Sequence, residues 1–138
     1  DFRRIMQGLG CPDVRVIKQN PISLDDREVA DKIGMVGFRS ITVRAFKMPL
    51  EDRCEDFGQI AIYDGTLQQH PHAFDLDDHH HLETGRPLRV CGNTADMLGA
   101  TRYAKHIKIL GDKSVHFGLF DCVPPNSSVN LESGAACC

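Results

Sequence analysis

The sequence changes character at residues 49–58, and this change limits the folds that the chain can adopt. Before these residues, a segment with apolar residues at helical spacing is followed by one in which they alternate, and the same two patterns then occur again. This order predicts helix, strand, helix and strand. After them, short alternating runs are separated by Gly and Pro, which favours short strands and one helix. We therefore expect an α/β segment over 1–48, a small α+β region with a mainly antiparallel sheet over 49–122, and a flexible tail over 123–138.

Two helices are predicted in the first segment. The apolar residues of the first helix share one face and are followed by a glycine suited to a left-handed backbone: Phe2, Ile5, Met6, Leu9 and then Gly10. In the second helix Asp25 is the expected N-cap, with Glu28 three residues later, and the helix should end near Ile33.

Two strands complete this segment. The first includes Val16 and should end at Asn20-Pro21, and the second should run from Phe38 to Met48. Two strands alone form at best a marginal sheet, and no glycine-rich phosphate loop is present. We therefore expect the missing strands to lie upstream, so that the chain is part of a longer protein.

The second region is predicted to contain one helix, from Ala95 to about Tyr103 with Asn93 or Thr94 as its cap. Its strands are expected at Gln59–Tyr63, at Ala73–Asp77, from Leu88, at Ile107–Ile109 and at Val115–Leu119.

The six cysteines are interpreted as mostly reduced thiols, because none forms a C-x-x-C pair and no secretory signal is visible. Cys54 has four acidic neighbours, and negative charge disfavours a thiolate. A structural thiol is the first interpretation of Cys54, and a ligand for a soft ion is the alternative. The vicinal pair Cys137-Cys138 could bind a thiophilic ion or be an inert chain end.

Composition excludes some partners. The formal net charge of -3 argues against nucleic acid, because no strong basic field is available to meet phosphates. No apolar run approaches the roughly 18 residues that a membrane span needs. We expect a cytoplasmic protein without a membrane partner.

Histidines cluster beside aspartates in the middle of the second region: His70, His72, His79, His80 and His81 with Asp75, Asp77 and Asp78. A metal site is one interpretation. The other is a polar loop whose carboxylates pair with protonated imidazoles. The i, i+4 histidine spacing of a zinc-binding helix is absent.

Several long strings resemble the arsenite S-adenosylmethionine methyltransferases, and the likeness runs from Asp1 to about Cys122. They are DFRR at 1–4, GCP at 10–12, RCEDFGQIAIYDGT at 53–66, HPHAFDLDDHH at 70–80, LETGRP at 82–87, VCGNT at 90–94 and GDKSVHFGLF at 111–120.

The resemblance implies that 1–48 is the end of a class I methyltransferase domain and 49–122 the C-terminal part of the enzyme. The S-adenosylmethionine pocket and the family's arsenic-binding cysteines are then expected upstream. No catalytic or cofactor-binding residue is therefore assigned here, and the chain alone should be inactive. No metal ligand is firmly assigned; Cys54, Cys137 and Cys138 remain candidates.

The implied function is arsenic detoxification by methyl transfer from S-adenosylmethionine to As(III) held by cysteine thiolates, which suit this soft element. The implied partners are arsenite or thiol-conjugated arsenic and a cellular thiol such as glutathione or thioredoxin. A free-standing thiol module that binds soft metal or metalloid ions, through Cys54, Cys91, Cys122 or the terminal pair, is the alternative.

Overall fold

The computed structural model describes residues 1–122, and the tail with Cys137 and Cys138 lies outside that range. Its helices are α1 (Phe2–Gly8), α2 (Arg27–Ile33) and α3 (Gly92–Gly99). Its strands are β1 (Val14–Ile22), β2 (Phe38–Ala45), β3 (Ile60–Tyr63), β4 (Ala73–Asp75), β5 (His81–Glu83), β6 (Pro87–Arg89) and β7 (Ile107–Leu110). All strand pairs are antiparallel: β1 with β2, β3 with both β6 and β7, and β4 with β5.

Strands β1 and β2 form a two-stranded sheet, with α2 in the connection between them. The predicted end of β1 at Asn20-Pro21 is wrong, since these residues pair with Ser40 and Arg39. Both strands are edges of this sheet, and proline is tolerated on an edge. Strand β2 ends at Ala45 rather than Met48, because Ala45 pairs with the first residue of β1.

The helices of this segment form close to where they were predicted. Gly10 follows α1 with φ 83°, as expected. Helix α2 is capped by Asp26 instead of Asp25, because the Asp26 Oδ1 accepts from the backbone N–H groups of Glu28 and Val29. No residue of α1 is buried and only Met6 is half-buried, so its apolar face is largely exposed among the described residues.

The hydrophobic core lies in the second region, where β3 is the central strand of its sheet and α3 packs beside it. Its largest fully buried apolar side chains are Tyr63, Leu76, Leu82, Val90, Met97 and Leu98. Burial of one such side chain contributes about 1.5–3 kcal/mol. Phe46, just after β2, also belongs to this core and ties the two regions together.

Two predictions for the second region are wrong. Helix α3 covers Gly92–Gly99 with Cys91 as N-cap, earlier than the predicted Ala95–Tyr103. Residues 115–119 form no strand: Gly118 has φ 103°, and their pairing with residues 54–56 is limited to a bridge between Glu55 and Leu119 and a few backbone hydrogen bonds around it. Strand β5 was not predicted, because Leu82 is its only apolar residue and no alternation is visible.

Among residues 1–122, no helix is both long and apolar enough to cross a membrane.

Candidate functional site

A buried arginine is the centre of the most distinctive polar cluster in the described residues. Asp13 and Arg15 lie two positions apart at the start of β1, a spacing that places both side chains on one face. Arg15 Nε donates to Asp13 Oδ2 and Arg15 Nη1 donates to Asp77 Oδ2, each at 2.8 Å. All three residues are at most 5% exposed, and buried charges are tolerated when they are paired in this way.

Asp77 is fixed by the loop between β4 and β5. Its Oδ1 accepts from the backbone N–H groups of His79 and His80 and lies 2.7 Å from the His80 Nδ1. Burial would raise the pKa of Asp77, but the hydrogen bond and charge of His80, the His79 N–H and Arg15 together hold that pKa well below its usual range. Asp77 is therefore a carboxylate at neutral pH.

The network continues from Arg15 into α3. Arg15 Nη2 donates to the Thr94 Oγ1 at 3.3 Å, and that oxygen lies 3.3 Å from the Cys91 Sγ. Thr94 is 0% exposed and Cys91 is 1% exposed. The guanidinium of β1 is thus connected through one hydroxyl to a buried thiol.

Cys91 is an acidic thiol. A hydrogen bond from Cys54 is the main cause, burial opposes it, and Thr94 and the positive charge of Arg15 assist, so that the pKa of Cys91 falls from 9.0 to about 5. Cys91 is also the N-cap of α3, where the helix dipole favours negative charge. At neutral pH the Cys91 sulfur is a thiolate, the form that acts as a nucleophile or ligand.

The backbone brings Cys54 and Cys91 together. The N–H of Gly92 donates to the carbonyl of Glu55 at 2.9 Å, which joins the residues that follow the two cysteines. Only glycine fits at position 92, because a Cβ there would lie 2.8 Å from the Phe57 ring. The site is therefore a cysteine pair supported by a buried ion-pair network.

A family comparison agrees with this architecture. The sequence model described as "Arsenite methyltransferase C-terminal domain" matches residues 58–129. The chain belongs to this arsenite methyltransferase family. The resemblance inferred from the sequence strings is thereby confirmed.

Two relatives show how much of an arsenite methyltransferase the chain represents. The chain is 43% identical over 143 residues to the arsenite methyltransferase of Aquipseudomonas alcaligenes. This alignment covers 100% of the chain and 41% of that protein. The chain is 46% identical, with a TM-score of 0.81, to the crystal structure of an arsenic(III) S-adenosylmethionine methyltransferase from Chlamydomonas reinhardtii. That match covers 88% of the chain and 41% of the algal protein, so the chain spans about two fifths of either relative.

The structure places the predicted site residues in different situations. Cys54 is half-buried and its thiol is hydrogen-bonded to Cys91, with no disulfide between them. Two of its acidic neighbours have side-chain partners: Glu55 contacts the His116 imidazole and Asp56 pairs with Arg89, each at 2.7 Å. The acidic sequence around Cys54 therefore does not prevent a thiolate at its partner.

The histidine-rich segment forms carboxylate–imidazole pairs, as the second interpretation expected. His79 pairs with Asp78, His80 with Asp77, and His81 with Asp75. Within residues 1–122, no three His, Cys, Asp or Glu side chains are arranged to hold a metal ion.

Sequence reasoning named Cys91 only as one of several thiols, named Asp77 only in the histidine-rich cluster and Thr94 only as a possible cap, and did not connect any of them with Arg15. The run VCGNT at 90–94 contains no signal for a cap at Cys91, because cysteine is not among the preferred N-cap residues and the Cys91 side chain makes no capping hydrogen bond.

Proposed function

We propose that this chain is the C-terminal part of an enzyme that transfers the methyl group of S-adenosylmethionine to trivalent arsenic. The observation that carries the proposal is the similarity over 88% of the chain, at 46% identity, to a solved arsenic(III) S-adenosylmethionine methyltransferase. The curated bacterial relative, 43% identical, is named for the same substrate.

Residues 1–48 are proposed to be the end of a class I methyltransferase domain, and 49–122 the C-terminal region. The exposed apolar side chains of α1 and the β1–β2 sheet support this division: Phe2, Ile5, Leu9, Ile22, Phe38 and Ile41 are 44–60% exposed. An apolar surface of this kind usually marks an interface. The occupant we propose is the remainder of the methyltransferase domain.

The chemistry suits the proposed substrate. Trivalent arsenic is soft, prefers thiolate sulfur and retains a lone pair that can attack the methyl carbon of the sulfonium. The reaction needs arsenic and methyl carbon close and aligned, so positioning supplies much of the rate. We propose that the cofactor pocket and the arsenic ligands of the reacting site lie in the rest of the parent enzyme. A cytoplasmic thiol such as glutathione or thioredoxin would be the partner in detoxification.

The test is methylation of arsenite by the parent enzyme, with S-adenosylmethionine and glutathione, and with methylated arsenic separated and counted by chromatography and elemental mass spectrometry. We expect methylated arsenic from the parent. Calorimetry should show no binding of S-adenosylmethionine to residues 1–138 alone. A parent that methylates another acceptor and leaves arsenite unchanged would refute the proposed substrate. Tight cofactor binding by the isolated chain would refute the proposed pocket location.

A further inference from the structure

We propose that Cys54 and Cys91 form a dithiol site for a monosubstituted trivalent arsenical, an arsenic(III) atom that carries one carbon group and two exchangeable oxygens. The inference rests on the proposed function for the source of such a ligand, since one methyl transfer to arsenite creates this chemical class. The site itself consists only of residues of this chain.

Three contacts hold the segments of the two cysteines beside each other. The Cys54 thiol is hydrogen-bonded to the Cys91 sulfur. The Glu55 carbonyl accepts from the Gly92 N–H at 2.9 Å, and the Cys54 carbonyl accepts from the Phe120 N–H at 2.8 Å. Cys54 and Cys91 are thus held by backbone bonds on both of their segments, and two preorganised thiols lose little freedom on binding one atom.

The number of sulfurs selects the ligand class. Inorganic arsenite has three exchangeable oxygens and is best matched by three thiolates. In the part of the chain that the structure describes, no third Cys, His, Asp or Glu completes such a group at this pair. An arsenical with one carbon substituent has two exchangeable oxygens, which two sulfurs replace completely.

The atoms balance without an oxidant or reductant. The arsenical R–As(OH)2 reacts with the Cys91 thiolate and the Cys54 thiol: two As–O bonds break, two As–S bonds form, and hydroxide and one water leave. Arsenic remains trivalent. The half-buried Cys54 offers access, and Cys91, 1% exposed, supplies the nucleophilic sulfur.

The charges around the pair also permit this exchange. Bonding to arsenic removes the negative charge of the Cys91 sulfur. Arg15 keeps its two carboxylate partners, Asp13 and Asp77, each 2.8 Å away. Binding therefore leaves no buried cation without a partner. An unpaired buried cation would oppose binding strongly.

The test uses phenylarsine oxide, a monosubstituted arsenical, with the 138-residue chain carrying Cys137→Ser and Cys138→Ser so that the terminal pair cannot compete. Intact mass spectrometry should show one phenylarsenic group added with loss of two protons. Peptide mapping should find it bridging Cys54 and Cys91. Either Cys54→Ala or Cys91→Ala should weaken binding about a hundredfold, because the second bond becomes bimolecular.

Cys11→Ala is the matched control, since Cys11 is also a buried free thiol and should leave binding unchanged. A diphenylarsenic(III) probe has one exchangeable ligand and forms a single As–S bond, so neither single substitution should weaken its binding by this factor. Unchanged phenylarsine oxide binding in well-folded Cys91→Ala, or a bridge between other cysteines, would overturn the proposal. If Cys91→Ala fails to fold, the Cys54→Ala variant and the mapped bridge decide alone. Failure of arsenite methylation in the parent would leave these binding results unaffected.

Discussion

At the scale of single residues, the acidity of Cys91 depends on one neighbouring thiol. The hydrogen bond from Cys54 is the main cause of its lowered pKa. We therefore expect Cys54→Ala to raise the pKa of Cys91 from about 5 towards its ordinary 9.0. A pH titration of the ultraviolet thiolate absorbance, in the background without the terminal pair, measures this change.

Cys11→Ala is again the control and should leave the acidic titration in place. An acidic titration that survives Cys54→Ala and disappears with Thr94→Val would show that the hydroxyl, and not the second thiol, stabilises the thiolate.

The buried arginine gives a prediction for stability. Arg15→Met should lower the free energy of unfolding by about 3–5 kcal/mol, because Asp13 and Asp77 would remain buried without their cation. Arg4→Ala removes an exposed pair with Asp1 and should change the free energy by about 0.5 kcal/mol at most. Urea unfolding of both variants measures the difference. Equal stability of the two would mean that the buried pairs are replaced by good apolar packing.

The face of β1 illustrates what sequence could not supply at this scale. Hydrophobicity alone would predict that Val14 and Val16 are buried and Arg15 is exposed. In the structure Arg15 is buried and the two valines are only half-buried. The reason is tertiary: Asp77 and Thr94, far along the chain, provide the partners that make a buried guanidinium acceptable. The Cys54–Cys91 pair was hidden for the same reason.

At the scale of elements, local pattern was sufficient wherever an element had enough residues to show its period. The positions of α1, α2, β3 and β7 were predicted to within a few residues. The pattern failed at 115–119, where Gly118 has φ 103° and pairing with residues 54–56 is confined to one bridge and a few hydrogen bonds, and where Val115 and Phe117 are 54% and 65% exposed. Alternation predicts a strand only where the backbone stays extended and one face of it is buried.

Two turn glycines allow strain and steric clash to be separated. Gly65 has φ 80°, and a Cβ there would lie 2.8 Å from the Thr84 Cγ2 and 2.9 Å from the Pro71 carbonyl oxygen. Gly85 has φ 76°, but open space surrounds its Cβ position. We expect Gly85→Ala to cost about 1–2 kcal/mol from backbone strain alone, and Gly65→Ala to cost more. Thermal unfolding of the two variants compares them, and equal losses would mean that both Thr84 and the Pro71 carbonyl move aside freely.

At the scale of the whole molecule, the apolar surface of the first segment predicts self-association of residues 1–138. Phe38 and Ile41 lie on β2 and are 44% and 53% exposed. We expect sedimentation velocity to show concentration-dependent oligomers, which Ile41→Asp reduces. Val115→Asp, at a similarly exposed apolar residue outside this surface, should have little effect. A strictly monomeric chain at all concentrations would argue against a missing partner on this surface.

The link between Arg15 and the second region also limits how such enzymes can be recombined. Besides its side-chain bonds, β1 accepts a backbone hydrogen bond from Asp78 N–H at the Val16 carbonyl, 2.9 Å away. A chimera of two homologous enzymes joined near residue 49 would take Asp13 and Arg15 from one parent and Asp77 and Thr94 from the other. Such a hybrid keeps its buried charges matched only if both parents carry the same four residues. The segment that must be exchanged as one piece in a chimera is therefore longer than the region that the family model matches, and it begins before β1.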